Sequence, residues 1–173
     1  MNEVPCRSTE YTVTVPRNVE NYWQTELKQD FVYVFQTECN KISSFATSKA
    51  VAQSVLPCLF VSFDQDIDPV AACKCITLEY NVEKKKQQMS VCVAKEVNET
   101  EILSKIQVSR DHRWVIFTPI SRLPYDKTIV VKVGPNIPSL EGPLLSDAIG
   151  EYSFRTCKEF RVEGEENYRF LCS

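Results

Sequence analysis

The chain has 173 residues, 43% of them hydrophobic, with 20 basic and 23 acidic side chains and a formal charge of −3. That length suits one large domain, or a domain and a half, with a real core. The balanced charge gives no pull toward nucleic acid or an anionic membrane, and no apolar run approaches the ~20 residues of a membrane helix. Met1 to Cys6 lacks the basic start and apolar run of a secretory leader, which leaves open both a cytosolic protein and a piece of a longer exported one.

Taken in order, Ser8 to Val15 alternates Tyr11, Val13 and Val15 with threonines, the pattern of a half-buried strand. Asn18 to Lys28 is polar and reads as a loop or short helix. Asp30 to Thr37 is the next strand. Ser43 to Pro57 is small and polar, a linker or short interface helix. Leu59 to Asp64 opens a run of strands. Asp68 before Pro69 predicts a capped helical turn across Val70 to Ala72. Lys74 to Tyr80 and Met89 to Ala94 are strands around a charged tip, Glu83 to Gln88. Asn98 to Ser104 reads as loop or a helical turn, and Ile106 to Val108 as a short strand. Arg113 to Pro119, Lys127 to Val133 and Glu151 to Thr156 complete the set. Such spacing predicts an all-β, antiparallel, immunoglobulin-like β-sandwich. Its expected core is Phe63, Leu78, Trp114, Ile116, Val131 and Phe154.

The chain also repeats itself. Val4-Pro5 matches Leu123-Pro124, Tyr11 to Val15 matches Ile129 to Val133, and Tyr33 to Thr37 matches Tyr152 to Thr156, at an offset of about 119 residues. Cys39 and Cys157 follow the last pair. Residues 1–42 therefore read as the C-terminal strands of a preceding domain, 43–57 as a linker, 58–162 as one complete copy, and 163–173 as a tail.

Candidate chemistry is thin. Asp64, Asp66 and Asp68 alternate like the first ligands of a calcium loop, but Pro69 and Cys75 stand where that loop needs glycine and glutamate. Cys73, Cys75 and Cys92 lack zinc spacing and a histidine partner. His112, alone between Asp111 and Arg113, reads as a solvated turn residue. No nucleophile with a base is visible, so neither an enzyme nor a metal or cofactor is expected. Lys84 to Lys86 is a solvated tip without the stacking rings of an RNA surface.

Eight cysteines, Cys6, Cys39, Cys58, Cys73, Cys75, Cys92, Cys157 and Cys172, are candidates for disulfides if the chain is exported, and for small apolar core residues if it is not. Asn98-Glu99-Thr100 is an N-glycosylation acceptor and leans toward export.

Val61 to Pro69, Trp114 to Pro119, Leu123-Pro124-Tyr125, Gly142 to Leu145 and Tyr152 to Thr156 resemble the immunoglobulin-like macroglobulin domains of the bacterial-type α2-macroglobulin family. The resemblance covers residues 58–162, with 4–42 similar to the end of a preceding domain. It implies scaffold domains of an extracellular or cell-surface endopeptidase inhibitor. The partners it implies are neighbouring domains, and proteases through the full-length molecule. That family's thioester joins a cysteine to a glutamine three residues on; none of Cys6, Cys39, Cys58, Cys73, Cys75, Cys92 and Cys157 has glutamine there, Cys172 is too near the end to have a residue at that place, and no long bait segment is present. A generic immunoglobulin-like adhesion module is the alternative.

Overall fold

The computed structural model describes residues 5–47, 52–97 and 99–160. Strands β1 (Glu10–Val15) and β2 (Phe31–Gln36) form an antiparallel hairpin of their own. The remaining strands are β3 (Ile42–Thr47), β4 (Leu59–Phe63), β5 (Ile76–Val82), β6 (Lys85–Val93), β7 (Trp114–Pro119), β8 (Thr128–Val133) and β9 (Gly150–Arg155). They make one antiparallel sheet in the order β3-β4-β7-β6-β5-β8-β9. Helices α1 (Pro69–Lys74) and α2 (Thr100–Val108) lie outside the ladder.

The all-β, antiparallel architecture expected from strand spacing is present, as one continuous sheet. Long β6 is shared: Lys85 to Ser90 pair with β5, and Val91 to Val93 pair with β7. By bending there, the sheet brings its two end strands together, nearly closing a barrel. Phe45 of β3 and Tyr152 of β9 stack with ring centroids 4.2 Å apart. Beyond β3, Gln53 donates its amide to the Arg155 carbonyl and accepts from the Cys157 amide, at 2.8 Å each, so part of the expected linker seals the seam.

The core fills the inside of this curl, where Leu59, Val61, Ile76, Leu78, Val115, Phe117, Val131 and Val133 are essentially dry. Burial of each such side chain contributes about 1.5–3 kcal/mol. Phe63, Leu78, Val131 and Phe154 sit in it as expected. Trp114 and Ile116 do not: they face the other side of β7, in a smaller cluster with Phe60 and Ile102.

That second cluster exists because α2 covers the outside of β4 and β7. Residues 106–108, read as a strand, end this helix instead. Ile102 and Ile106 lie four apart, on one helical face, and both pack in the cluster. A strand apolar on both faces carries no alternation to read, so its phase on β7 was open. Ile42 to Thr47 likewise belongs to the sheet, in ladder with β4 from Ile42↔Phe63 to Thr47↔Leu59. Its serines hid it: Ser44 lies against Ser62, hydroxyl to hydroxyl at 2.7 Å, where a strand pattern would lead one to seek apolar side chains. The Asn18–Lys28 stretch extends the hairpin, with Glu20 bridged to Glu26 and the Tyr22 and Trp23 rings exposed at its tip.

The repeat read from sequence is repeated in the hydrogen bonds. Tyr11 lies opposite Phe35 and Val13 opposite Tyr33, as Ile129 lies opposite Phe154 and Val131 opposite Tyr152. The Thr37 amide donates to the Thr9 carbonyl (2.9 Å), the Thr9 amide to Thr37 Oγ1 (3.0 Å), and that hydroxyl to the Cys6 carbonyl (2.8 Å). The Thr156 amide donates to the Lys127 carbonyl (2.9 Å), the Lys127 amide to Thr156 Oγ1 (3.0 Å), and that hydroxyl to the Pro124 carbonyl (2.7 Å). Ser8 and Asp126, at φ 47° and 53°, turn the chain into each latch.

Thr156 is buried, so Thr156→Val strands the Lys127 amide and the Pro124 carbonyl. The expected loss in urea denaturation is about 1–3 kcal/mol, with Thr156→Ser recovering most of it. Loss in Thr156→Ser with little or none in Thr156→Val would show that the methyl group, and not the hydroxyl, matters.

Candidate functional site

The turn after β4, Asp64 to Asp68, is where the hairpin meets the barrel. Gln65 is fully buried there. Its Oε1 accepts from Ser8 Oγ (2.8 Å) and Ser139 Oγ (2.7 Å), and its Nε2 donates to the Glu38 carbonyl (2.8 Å). One amide thus ties both ends of the hairpin to the long loop between β8 and β9.

The aspartates around it are already engaged. Asp64 Oδ1 accepts from the Lys41 amide (2.7 Å), while its carbonyl accepts from Arg113 Nη1 (2.6 Å) and Arg7 Nη1 (2.8 Å). Asp66 takes Arg113 Nε (2.8 Å), and Arg113 Nη2 reaches Glu141 (2.9 Å). The Asp66 hydrogen bond, ahead of the Glu141 and Asp64 charges, pushes the Arg113 pKa up from its ordinary value against the opposing effect of burial. Asp68 caps α1, accepting from the Val70 amide at 2.9 Å with Pro69 next in line, as expected. The alternating carboxylates serve an arginine and a helix, and among the described residues no group of acidic, histidine or cysteine side chains is arranged to hold a metal.

Backbone closeness completes the joint. Gly142 lies against the hairpin so tightly that a Cβ would collide with the Arg7 carbonyl, and with Thr9 and the Ser8 carbonyl. The Leu144 amide donates to the Ser8 carbonyl at 2.7 Å. Asn40 is buried nearby, and no hydrogen bond to its side-chain amide is found among the described residues. Sequence reasoning found Asp64, Asp66 and the Gly142 turn but missed Gln65, Ser139 and Glu141. A glutamine in an aspartate-rich turn carries no signal of burial; the 2.0 strand period continued past Phe63 is the one hint that it points inward.

Elsewhere, no catalytic set is assembled among the described residues. His112 occupies an exposed turn at φ 63°, with its carbonyl accepting from the Ile67 amide. Two open grooves, of about 310 Å³ beside the end of α2 and about 470 Å³ between α1 and β6, hold no convergent acid, base and nucleophile. The charged tip expected across Glu83 to Gln88 narrows to Glu83 and Lys84, both at positive φ as in a two-residue type I′ turn, while Lys85 to Gln88 are already paired in β6.

The seven described cysteines carry free thiols, from buried Cys73 to exposed Cys6 and Cys92, with Cys39, Cys58, Cys75 and Cys157 half-buried. Burial, with smaller contributions from Cys92 and Asp68, pushes the Cys73 thiol up to about 11, and burial raises Cys58 and Cys75 as well. Such thiols are poor nucleophiles. Cys172 and Asn98 lie outside the described residues.

No family model matches the chain. Over 169 residues it is 27% identical to Circularly permutated Ras protein 2 of Dictyostelium discoideum, an alignment spanning 93% of this chain but 4% of that protein. Among solved structures, the N-terminal part of the bacterial S-layer protein SbsC aligns over 68% of this chain and 24% of its own, with TM-score 0.37 and 16% identity.

A second charged cluster lies on the outer face of the barrel. Glu79 is almost fully covered by Lys86 (2.8 Å), Lys132 (3.2 Å) and the Gln88 amide (2.8 Å). These partners, Lys86 first and then Gln88, hold its pKa down from 4.5 to about 2. A carboxylate lowered in the folded state adds stability that is complete above its unfolded value and is lost as pH falls through the folded one. The stability difference between the native chain and Glu79→Gln should therefore be largest above pH 4.5 and shrink as pH falls toward about 2. A difference independent of pH across that window would contradict the assignment.

Proposed function

We propose that this chain is a non-enzymatic scaffold module, built from successive immunoglobulin-like β units and holding one unit at a fixed attitude to the next. What carries the reading is the Gln65 joint: a polar, fully bonded contact ties the first unit's closing hairpin to the second unit's barrel. Polar joints of this kind set geometry, because a misplaced partner leaves buried donors and acceptors unmatched.

The resemblance in residues 58–162 supports an α2-macroglobulin-like endopeptidase inhibitor as the host molecule, extracellular or at the cell surface. Its partners would be neighbouring domains, and proteases only through the whole molecule. Nucleic acid and membrane insertion have no place in this reading. None of the seven cysteines from Cys6 to Cys157 is followed three residues later by glutamine, so this part would contribute spacing rather than covalent capture. The second reading is an immunoglobulin-like adhesion module; the exposed Tyr22 and Trp23 rings at the hairpin tip favour it.

Nitrogen-15 relaxation tests the scaffold reading. Amides of β1–β2 and of the barrel should share one rotational correlation time, and Gly142→Ala should split it into two. Two correlation times in the native chain would overturn the proposal. In parallel, the purified chain incubated with several endopeptidases should neither inhibit them stoichiometrically nor form a methylamine-sensitive conjugate.

A further inference from the structure

The β1–β2 hairpin has one apolar face, made of Tyr11, Val13 and Val15 with Phe31, Tyr33 and Phe35. Four of these are exposed: Val13, Val15, Phe31 and Tyr33 are 46%, 37%, 58% and 56% accessible. The opposite face is mixed, with Thr12 and Thr14 on β1 beside exposed Val32 and Val34 on β2, so the aromatic and valine face is the one continuous across both strands. A contiguous apolar face of this kind on a two-stranded sheet is a site awaiting a cover.

The second copy shows what such a cover is. Register and latch equate β1 with β8 and β2 with β9. The exposed Val13 and Val15 therefore occupy the places of Val131 and Val133, which are completely buried. In that copy β8 does not end the sheet. Its other edge pairs with β5, Val131 opposite Leu78 and Val133 opposite Ile76, and the face lies on Leu59, Val61, Val115 and Phe117. Because the Thr37 amide bonds Thr9, antiparallel alternation turns the amides of Glu10, Thr12 and Thr14 away from β2, toward the edge that no strand pairs among the described residues. Both the hydrogen bonds and the apolar area of a missing half-barrel are thus present.

We propose that the hairpin is a docking site for the β3-to-β7 half of another repeat, carried ahead of Pro5 in a longer chain. A β5-like strand pairs antiparallel with β1, an apolar residue opposite Val13 and another opposite Val15, and the rest of that half lies across the aromatic face. The order of connection supports the source. In the complete copy this half precedes its closing hairpin and enters it through Leu123-Pro124, the counterpart of Val4-Pro5. The Dictyostelium protein that matches 93% of this chain also continues far beyond the matched stretch. The inference deepens the scaffold reading by naming what the first unit is made of.

The test places a second copy of residues 42–123 directly ahead of Pro5 in the otherwise full chain and follows amide exchange by NMR. The Glu10, Thr12 and Thr14 amides should slow by about 100-fold or more relative to the native chain. Val13→Asp should abolish that slowing in the extended chain while leaving barrel amides in the native chain unchanged. Fast exchange at those three amides despite a protected added half would overturn the proposal. So would an added half that stays unprotected, since the hairpin is then no cover for it. Concentration-dependent protection in the native chain alone would assign the face to a second copy and also overturn it. None of these outcomes alters the shared correlation time that tests the joint, so the two readings fail separately.

Discussion

The arrangement of this molecule depends on one buried amide. Gln65 has no access to water, and three hydrogen bonds, from Ser8, from Ser139 and to Glu38, replace what water would supply. Each partner comes from a different part of the chain: the start of the hairpin, its end, and the loop between β8 and β9. An apolar side chain at this place would leave two hydroxyls and a carbonyl to find other partners, at about 1–3 kcal/mol for each that stays buried and unbonded. The hairpin's attitude is therefore fixed by geometry more than by buried area.

Around that amide the charges act as struts. Arg113 binds a carboxylate from the turn after β4 and another from the long loop, and it also caps the Asp64 carbonyl. Arg7 reaches the same Asp64 carbonyl from the hairpin side. Ion pairs as exposed as that between Arg7 and Asp64 contribute little stability by themselves. Their value here is directional, since a planar guanidinium accepts few arrangements of its partners. Gly142 adds a steric limit, as only a residue without Cβ lets the loop approach the hairpin backbone.

Much of this was legible in the sequence where one physical pattern acted alone. A strand with one wet face, such as β5, shows the alternation that burial imposes, while β1 carries the same alternation with its apolar face left exposed rather than half-buried as expected. The repeat was legible because the same latch needs a threonine at the end of β2 and β9 alike. The pattern failed where two demands overlapped. Trp114 and Ile116 fall outside the main core because β7 is apolar on both faces, and which face meets which layer is decided by α2, a separate element just ahead of it. That helix was itself obscured by β-branched Ile106 and Val108, whose strand preference is overridden by the apolar face it presents to Phe60. The joint was legible only in its charged residues, because nothing local marks Gln65 as buried.

The central claim, that the Gln65 amide holds the hairpin on the barrel, is tested most directly by hydrogen exchange of Gln65→Ala read by mass spectrometry. The account predicts that peptides covering residues 8–15 and 31–37 lose protection while those covering 59–63 and 114–119 keep it. Loss of protection in both sets together, or in neither, would contradict it.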